Sequence, residues 1–284
     1  MKKLPVILFF LLILSCDKIH YYPDRPFYNV KTKILAHRAG CGLSYQGNLP
    51  DKVNHSLELV AGVEVDIQIS GDRTIWISHN MKLPECESFH DDCFIESTDA
   101  KIALIDSCLG PDQGIYRLEY IFATIANSYP QKYISIDVKA WEPCNVGDLD
   151  VGGMMNVVGE EIIALTNKYD LGGRVMIESE TASFLNFVKK QSSGIETYLC
   201  TWGDFERGML ICLENGFSGI SFYYKYKEEI TKDHIYMIRK KGLKIQLWTV
   251  NDTNDLKEAF SLNPDFIQTD EIGFASNLDE LLLK

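Results

Sequence analysis

The chain has 284 residues, of which 46% are hydrophobic and 24% are charged, and its formal net charge is −12 at pH 7. This acidic balance argues against a nucleic-acid-binding protein and against a surface that holds anionic membranes by charge. An anionic substrate would need local cationic groups or a metal ion at its site.

Residues 1–16 are typical of a signal peptide. Two lysines precede an apolar run over residues 4–14, which is too short to span a bilayer as a mature helix. The run ends in Ile13-Leu14-Ser15-Cys16, which resembles a bacterial lipobox, so we expect cleavage before Cys16 and lipid modification of that residue. An ordinary secretory signal with an incidental cysteine is the alternative.

Both interpretations place the mature protein outside the cytoplasm. In the first, Cys16 anchors the protein to a bacterial membrane on the periplasmic or cell-surface side, and the anchor is its only contact with the membrane. Residues 17–33 form a tether, and residues 34–284 form one large domain with a sizeable core.

The cysteines suit an oxidising compartment. Of the 8 cysteines, seven remain without Cys16, so at least one is free or pairs between molecules. Cys86 and Cys93 lie in a polar loop, and we expect them to be able to form a disulfide. There is no C-x-x-C pair, so a structural zinc site is not expected.

The first predicted strand begins at Ile34 and ends in His37-Arg38-Ala39-Gly40. A short apolar run that ends in polar residues and glycine is typical of a strand that leads into an active-site loop. A brief helix is predicted over Asn54–Val60, before the second strand.

A β-hairpin is predicted next. The runs Val63–Ile69 and Thr74–Ser78 flank Gly71-Asp72, which can supply the positive φ angles of a two-residue loop. Counting back from that loop places Glu64 opposite His79 on neighbouring antiparallel strands. A shift of one residue would send His79 to the other face.

In this register, Glu64, Asp66 and His79 share one face of the hairpin. One interpretation is a solvated outer face. The other is a site in which Glu64 and Asp66 bind a hard divalent cation and His79 transfers a proton.

A polar excursion over residues 81–113 follows, and helix and strand patterns then alternate to the end of the chain. Eight strands are predicted to begin at Ile34, Val63, Tyr133, Arg174, Glu196, Gly219, Lys244 and Asp265. The predicted helices are Tyr116–Ser128, Met154–Tyr169, Ala182–Lys190, Phe205–Asn215, Lys227–Lys241, Asp252–Ser261 and a closing helix near Ser276–Leu283. Eight parallel units predict a single-domain TIM barrel, with the second arm of the hairpin outside it.

The barrel puts candidate site residues at one end, because TIM-barrel active sites lie at the C-terminal ends of the strands. The residues at or near such ends are His37, Glu64, Asp66, Asp137, Lys139 and Trp248. This coincidence favours a functional site over a solvated hairpin face. Glu178 and Glu180 also flank a strand end, and we expect them in a solvated loop.

Six short motifs together resemble the glycerophosphodiester phosphodiesterase family. They are His37-Arg38-Ala39-Gly40, Glu64-Val65-Asp66, His79-Asn80, Asp137-Val138-Lys139, Trp248-Thr249-Val250-Asn251 and Gln268-Thr269-Asp270. Each motif alone is weak, but all six occur in the family's order on a predicted eightfold barrel.

The resemblance implies a metal ion on Glu64, Asp66 and Asp137. Because the three ligands are carboxylates, Mg²⁺ or Ca²⁺ is the expected ion. In this family the ion binds phosphate oxygens and activates the neighbouring glycerol hydroxyl as the attacking group.

The resemblance also implies hydrolysis of a small-molecule glycerophosphodiester to an alcohol and glycerol 3-phosphate. His37 and His79 would be the general base and general acid, in an order that stays open. Arg38 and Lys139 would hold the phosphate, and Trp248 would form an apolar wall for the glycerol or the leaving group. A core aromatic residue is the alternative for Trp248.

Three positions depart from the family pattern. Where the family has Pro-Glu-Asn-Thr, the stretch Lys52-Val53-Asn54-His55-Ser56 keeps the Asn and lacks the acid, and His55 is a candidate replacement ligand. Asn80 stands where the family has Asp, and Asp137 stands where it has Glu.

These departures leave two alternatives to the enzyme open. One is a degenerate barrel that binds a phosphodiester or a phospholipid headgroup without turnover. The other is a related phospholipase that acts on intact lipids, although the loops here are mostly polar. The sequence leaves the alcohol and the oligomeric state open.

Overall fold

The computed structural model describes residues 31–40, 47–85, 92–109, 114–139, 144 and 151–275. The predicted signal peptide, most of the predicted tether, Cys86 and the predicted closing helix lie outside these ranges. Every helix within them is too short or too polar to span a membrane.

Nine strands form one sheet. They are β1 (Lys33–Ala36), β2 (Gly62–Ile69), β3 (Ile75–Ile77), β4 (Tyr133–Asp137), β5 (Val175–Ser179), β6 (Ile195–Thr201), β7 (Gly219–Tyr223), β8 (Lys244–Trp248) and β9 (Phe266–Thr269). Their order is β1-β9-β8-β7-β6-β5-β4-β2-β3, and β1 also pairs with β2. All the strands except β3 pair in parallel, so they close the predicted TIM barrel.

Helices follow most of the strands. They are α1 (Pro50–Leu59), α2 (Asp99–Asp106), α3 (Leu118–Ser128), α4 (Val151–Lys168), α5 (Ala182–Gln191), α6 (Phe205–Asn215), α7 (Lys232–Lys240), α8 (Thr253–Ser261) and α9 (Ile272–Ala275). The predicted helix Lys227–Lys241 is divided in two. A 3₁₀ turn over Tyr224–Glu229 precedes α7, whose first turn is capped by the hydroxyl of Thr231.

The barrel interior is layered because alternate side chains of every strand point inward. Near the N-terminal ends of the strands, Leu35, Met176, Tyr198 and Phe266 form an apolar cluster that seals that end. The outward side chains pack against the helices in the main core, as Val63 and Val65 do on β2. The opposite end of the barrel therefore carries the polar inward residues.

The hairpin is shifted by one residue from its predicted register. Gln68 faces Trp76 and Ile69 faces Ile75, and the backbone N–H of Ser78 donates to the carbonyl of Asp66 at 3.1 Å. The predicted pairing of Glu64 with His79 is therefore wrong. Strand β3 ends before His79, so the hairpin ladder does not place that histidine.

Arg73 is the physical reason for the shift. It adopts a left-handed φ of 66°, which adds a third residue to the loop and pairs Ser70 with the carbonyl of Thr74 at 2.9 Å. Its guanidinium donates to Glu160 at 2.8 Å and to Glu161 at 2.9 Å, both on α4. A two-residue Gly-Asp loop is thus replaced by a longer loop tied to a neighbouring helix.

The segment after the hairpin is more ordered than the predicted polar excursion. It contains α2 and a small separate core formed by Trp76, Leu83, Phe94, Ile102, Ile105 and Ile115. A disulfide joins Cys93 to Cys144. The predicted pairing of Cys93 with Cys86 is therefore wrong, because the fold brings Cys93 close to the segment after β4.

The remaining described cysteines divide into two kinds. Cys108 is also disulfide-bonded. Cys200 and Cys212 are free and buried.

Candidate active site

Three carboxylates converge at the C-terminal end of the barrel. Glu64 and Asp66 are inward residues of β2, and the parallel register places Asp137 of β4 beside Asp66. Oxygen atoms of the three carboxylates lie within 4.8 Å of one another. Glu64 is only 2% exposed and Asp66 only 3%, so these two carboxylates are nearly removed from water, whereas Asp137 is half-buried.

Burial and mutual repulsion make the cluster hard to ionise fully. Burial, together with the charge of Asp66, raises the pKa of Glu64 well above its ordinary value. Burial also raises the pKa of Asp137, to about 7. Burial would raise the pKa of Asp66 as well, but the positive charges of Lys139 and Arg38 outweigh it and lower that pKa.

Two cations face the acidic cluster. The ammonium of Lys139 contacts Asp66 and lies 2.5 Å from Asp137 Oδ2. The backbone N–H of Arg38 donates to Glu64 Oε2 at 2.9 Å. Arg38 Nε lies 3.2 Å from Asp66 Oδ2 without the alignment of a hydrogen bond, so that contact is an ion pair.

His37 is held by Asp270, which directly follows the last strand. Its Nδ1 lies 2.7 Å from Asp270 Oδ1, and its Nε2 lies 3.8 Å from Glu64 Oε2. The other oxygen of Asp270 accepts a hydrogen bond from Asn251 Nδ2 at 2.6 Å. The carboxylate of Asp270 favours a proton on Nδ1, which leaves Nε2 facing the site as the acceptor.

His79 is half-buried at the same end of the barrel. Its burial, with the positive charge of Arg38, outweighs the attraction of Asp66 and lowers the pKa of its imidazole. Nδ1 lies 3.1 Å from Asn80 Oδ1. Asn80, which departs from the family pattern, thus still offers this histidine an acceptor.

The acidic cluster fits a hard divalent cation. Its donors are carboxylate oxygens, which Mg²⁺ and Ca²⁺ prefer. Burial, together with the charges of the neighbouring carboxylates, raises the pKa of Glu64 and of Asp137. His55 is exposed on α1 and is not part of the cluster, so its candidacy as a replacement ligand is wrong.

Asn48, and not the Asn54 that matches the family motif, lies next to the acidic cluster. Asn54 instead donates to the hydroxyl of Tyr120 at 3.0 Å, away from the site. Asn48 is buried with a left-handed φ of 65°, and its Nδ2 lies 3.4 Å from Asp66 Oδ2. The sequence signal was weak, since Asn48 belongs to none of the six motifs.

Glu178 lies deeper in the barrel, below the acidic cluster, and is 3% exposed. The expectation that it lies in a solvated loop is wrong. Its carboxylate accepts four hydrogen bonds, of 2.6 to 2.9 Å, from Ser135, Ser221, Gln246 and Gln268. These donors come from four different strands, and the charge of Glu178 helps to raise the pKa of Glu64 and Asp137.

Trp248 lies in an aromatic group at the barrel mouth. Its ring centroid is 4.8 Å from that of Trp202 and 4.7 Å from that of Tyr223. A cavity of about 60 Å³ extends beside this group and is lined by both Asp137 and Trp202. The aromatic side of the mouth is therefore continuous with the acidic cluster.

Asn251 and Asp270 belong to two of the six motifs, but the sequence predicts no role for either of them. It also gives no prediction for Asn48 and the wrong one for Glu178. For Asp270, a usable signal was present. Asp270 is an acid directly after the last strand, and in a closed barrel the last strand pairs with the first, which ends at His37.

Comparison with known proteins relates this arrangement to a family. The model of the glycerophosphoryl diester phosphodiesterase family matches residues 58–274 of the chain. No functionally curated protein matches the chain.

Solved structures share the fold at low sequence identity. A glycerophosphodiester phosphodiesterase from Parabacteroides distasonis is 17% identical with a TM-score of 0.73, over 89% of this chain and 98% of that chain. A phosphodiesterase from Oleispira antarctica in complex with the product sn-glycerol-3-phosphate is 14% identical with a TM-score of 0.68, over 89% and 97%. The glycerophosphodiester phosphodiesterase from Thermotoga maritima is 19% identical with a TM-score of 0.65, over 87% and 98%.

Proposed function

This chain belongs to the glycerophosphoryl diester phosphodiesterase family and is a phosphoric diester hydrolase, and we propose that it releases glycerol 3-phosphate and an alcohol with a divalent cation and two histidines. One observation carries the proposal. The His37 imidazole, fixed by Asp270, lies beside three converging carboxylates at the mouth of the barrel.

Glu64, Asp66 and Asp137 would hold the cation, Mg²⁺ or Ca²⁺. When bound, it would neutralise charge on the phosphate oxygens and make the nearby glycerol hydroxyl more acidic. Arg38 and Lys139 lie against the same carboxylates, so they are close enough to the site to bind the remaining phosphate oxygens.

His37 is the general base of this proposal because its Nε2 faces the site while Asp270 holds Nδ1. The glycerol hydroxyl gives its proton to Nε2 and attacks phosphorus, and the bond from phosphorus to the alcohol oxygen breaks. His79, half-buried at the same end of the barrel, donates a proton to that oxygen. Water then opens the cyclic phosphate with the two roles reversed.

The test is release of glycerol 3-phosphate from glycerophosphocholine and glycerophosphoethanolamine by the mature protein with Mg²⁺, Ca²⁺ or EDTA. We expect cation-dependent release that His37→Ala abolishes. His55→Ala is the matched control, because His55 is an exposed histidine on α1 outside the site. Release that persists in EDTA, or that His37→Ala leaves intact, would contradict the proposal.

The proposal includes attachment to the outer side of a bacterial membrane through Cys16. Two observations support it: the sequence Ile13-Leu14-Ser15-Cys16 after an apolar run, and the Cys93–Cys144 disulfide, which suits an oxidising compartment. Residues 17–33 would then be the tether to the barrel. We expect Cys16→Ala to move the protein out of the membrane fraction, and an unchanged distribution would count against the anchor.

A further inference from the structure

His79 lies beyond the strand pairing that fixes the hairpin. Strand β3 ends at Ile77, and the N–H of Ser78, directly before the histidine, donates to the Asp66 carbonyl at 3.1 Å. The position of the proposed general acid therefore also depends on what holds the segment that follows it, residues 79–83.

That segment runs antiparallel to a second stretch of the chain. The N–H of Phe94 donates to the carbonyl of Met81 at 3.0 Å, and Cys93 forms a β-bridge with the residue after Met81. The side chain of Phe94 is 1% exposed, in the small separate core that includes Trp76 of β3. A bond that fixes Cys93 therefore also fixes the chain next to His79.

The Cys93–Cys144 disulfide connects this stretch to the segment after β4. The Cys144 sulfur lies 3.9 Å from the carbonyl oxygen of Met81. A cavity of about 20 Å³ is lined by Met81, Cys144 and Lys139 together. The disulfide therefore lies close both to the chain next to His79 and to Lys139.

The barrel end of this connection is fixed by the sheet. Directly after β4, the N–H of Val138 donates to the carbonyl of Glu178 at 2.9 Å. The Val138 carbonyl accepts from the hydroxyl of Ser179 at 2.7 Å. Both partners belong to β5, so Asp137 and Lys139, which flank Val138, are held by the barrel itself. The disulfide thus joins a segment outside the strand pairing to a fixed point beside Lys139.

We propose that the Cys93–Cys144 disulfide is a positioning element of the reaction, which holds His79 where it can protonate the leaving alcohol. This inference rests on the proposed function and adds to it two residues outside the acidic cluster. Without the bond, the segment of His79 keeps its contacts in the small core and loses its covalent link to the barrel beside Lys139. A misplacement of about 1 Å in a reacting group costs about 100-fold in rate.

The kinetic test compares leaving groups that differ in their need for a proton. It measures kcat/KM for alcohol release, the first step, from glycerophosphocholine and from the p-nitrophenyl ester of glycerol 3-phosphate. Nitrophenolate leaves without protonation, so its release does not need His79. Cys93→Ser and Cys144→Ser should lower choline release about tenfold to 100-fold, and nitrophenol release about twofold at most. Cys108→Ser, which removes a different disulfide at an exposed cysteine, should match the parent on both substrates.

A second comparison assigns the effect to His79. In a His79→Ala background, Cys93→Ser should lower choline release about twofold at most, because the group that the disulfide positions is already absent. If Cys93→Ser does not fold, Cys108→Ser is reduced with dithiothreitol in its place. The disulfide then takes up two electrons and two protons to give two thiols, and the reagent becomes a cyclic disulfide. The same loss of choline release is expected, and reoxidation should reverse it.

Backbone hydrogen exchange tests the connection without turnover. The N–H groups of Ser78 and Phe94 should exchange about tenfold faster in Cys93→Ser and Cys144→Ser than in the parent, and at the parent rate in Cys108→Ser. If the parent hydrolyses no diester and this pattern is still seen, the disulfide does fix the His79 segment and the proposed function alone fails.

Several results would overturn the inference. They are choline release that Cys93→Ser and Cys144→Ser leave unchanged, losses of the same size for both substrates, and the same loss in Cys108→Ser. A full loss on adding Cys93→Ser to His79→Ala would also overturn it. For a parent without activity, unchanged exchange of Ser78 and Phe94 in the serine variants is the contrary result.

Discussion

Nδ1 of His37 lies 2.7 Å from Oδ1 of Asp270, although the two residues are 233 positions apart. The second oxygen of Asp270 is held by Asn251, whose own amide oxygen accepts from the Asp270 backbone N–H at 2.9 Å. The imidazole is therefore oriented by a carboxylate that is itself fixed on both sides. Such an arrangement sets both the tautomer of His37 and the direction of Nε2, the nitrogen that we propose as the general base.

Asp270→Asn should lower kcat by about 100-fold or more with little change in KM, because the amide no longer selects the proton on Nδ1. The measurement is steady-state release of glycerol 3-phosphate across pH 5 to 9. A merely structural role would lower the melting temperature without changing the pH profile, so both are measured. Asp51→Asn, an exposed acid in the first turn of α1, is the control.

A divalent cation should stabilise the protein more at pH 8 than at pH 5. Burial raises the pKa of Asp137 from 3.8 to about 7, so without a cation this group favours the fold below pH 4. That contribution is lost as the pH rises toward 7. A cation that binds the ionised carboxylates offsets this loss of stability. At saturation it should raise the melting temperature by about 5 °C.

The check is thermal unfolding with Mg²⁺, Ca²⁺ or EDTA at both pH values. Asp137→Asn should remove most of the difference between them, since the titrating ligand is gone. Equal stabilisation at pH 5 and pH 8 would show that the cation binds elsewhere.

Glu178→Gln should destabilise the barrel by about 1–3 kcal/mol, because its amide NH₂ would face donors that now bond to a carboxylate oxygen. The four donors are Ser135, Ser221, Gln246 and Gln268. Urea unfolding measures the loss. The same variant should weaken cation binding, because one negative charge near Glu64 and Asp137 is removed.

The control for this variant is Glu214→Gln, which changes an exposed acid on α6. If Glu178→Gln is as stable as the parent, the four hydrogen bonds to this carboxylate contribute little to the stability of the barrel. Unchanged cation affinity in this variant would show that the charge of Glu178 has no effect on cation binding by the acidic cluster.

Loss of the Cys93–Cys144 disulfide should cost about 4 kcal/mol in the free energy of unfolding, by the chain-entropy estimate for its sequence separation of 51. Cys93→Ser, Cys144→Ser and the double variant should lose similar amounts, because each breaks the same bond. Urea unfolding without reductant measures the effect. Stability within about 1 kcal/mol of the parent in all three would mean that the crosslink contributes little.

The sequence predicted the barrel and most of the site because both depend on local patterns. The alternation of strands and helices identifies eight parallel strands, and their ends then carry His37, Glu64 and Asp137. The parallel register of β2 and β4 then places Asp137 beside Asp66. These positions follow from spacing along the chain.

The failures concern relationships that spacing does not encode. The hairpin register depends on the left-handed conformation of Arg73, which a Gly-Asp pair next to it did not suggest. The partner of Cys93 depends on the path of the chain after β4. The burial of Glu178 follows from donors on four strands, each of which looks ordinary by itself.

Because β1 pairs with β9, the barrel can close only when both its first and its last strand are present. A growing chain on the ribosome lacks this last strand until nearly the whole domain has been synthesised. His37 can be translated and even folded against β2 long before Asp270 arrives to orient it. His37 thus gains its orienting carboxylate only when the final strand of the domain has been synthesised and has paired with the first.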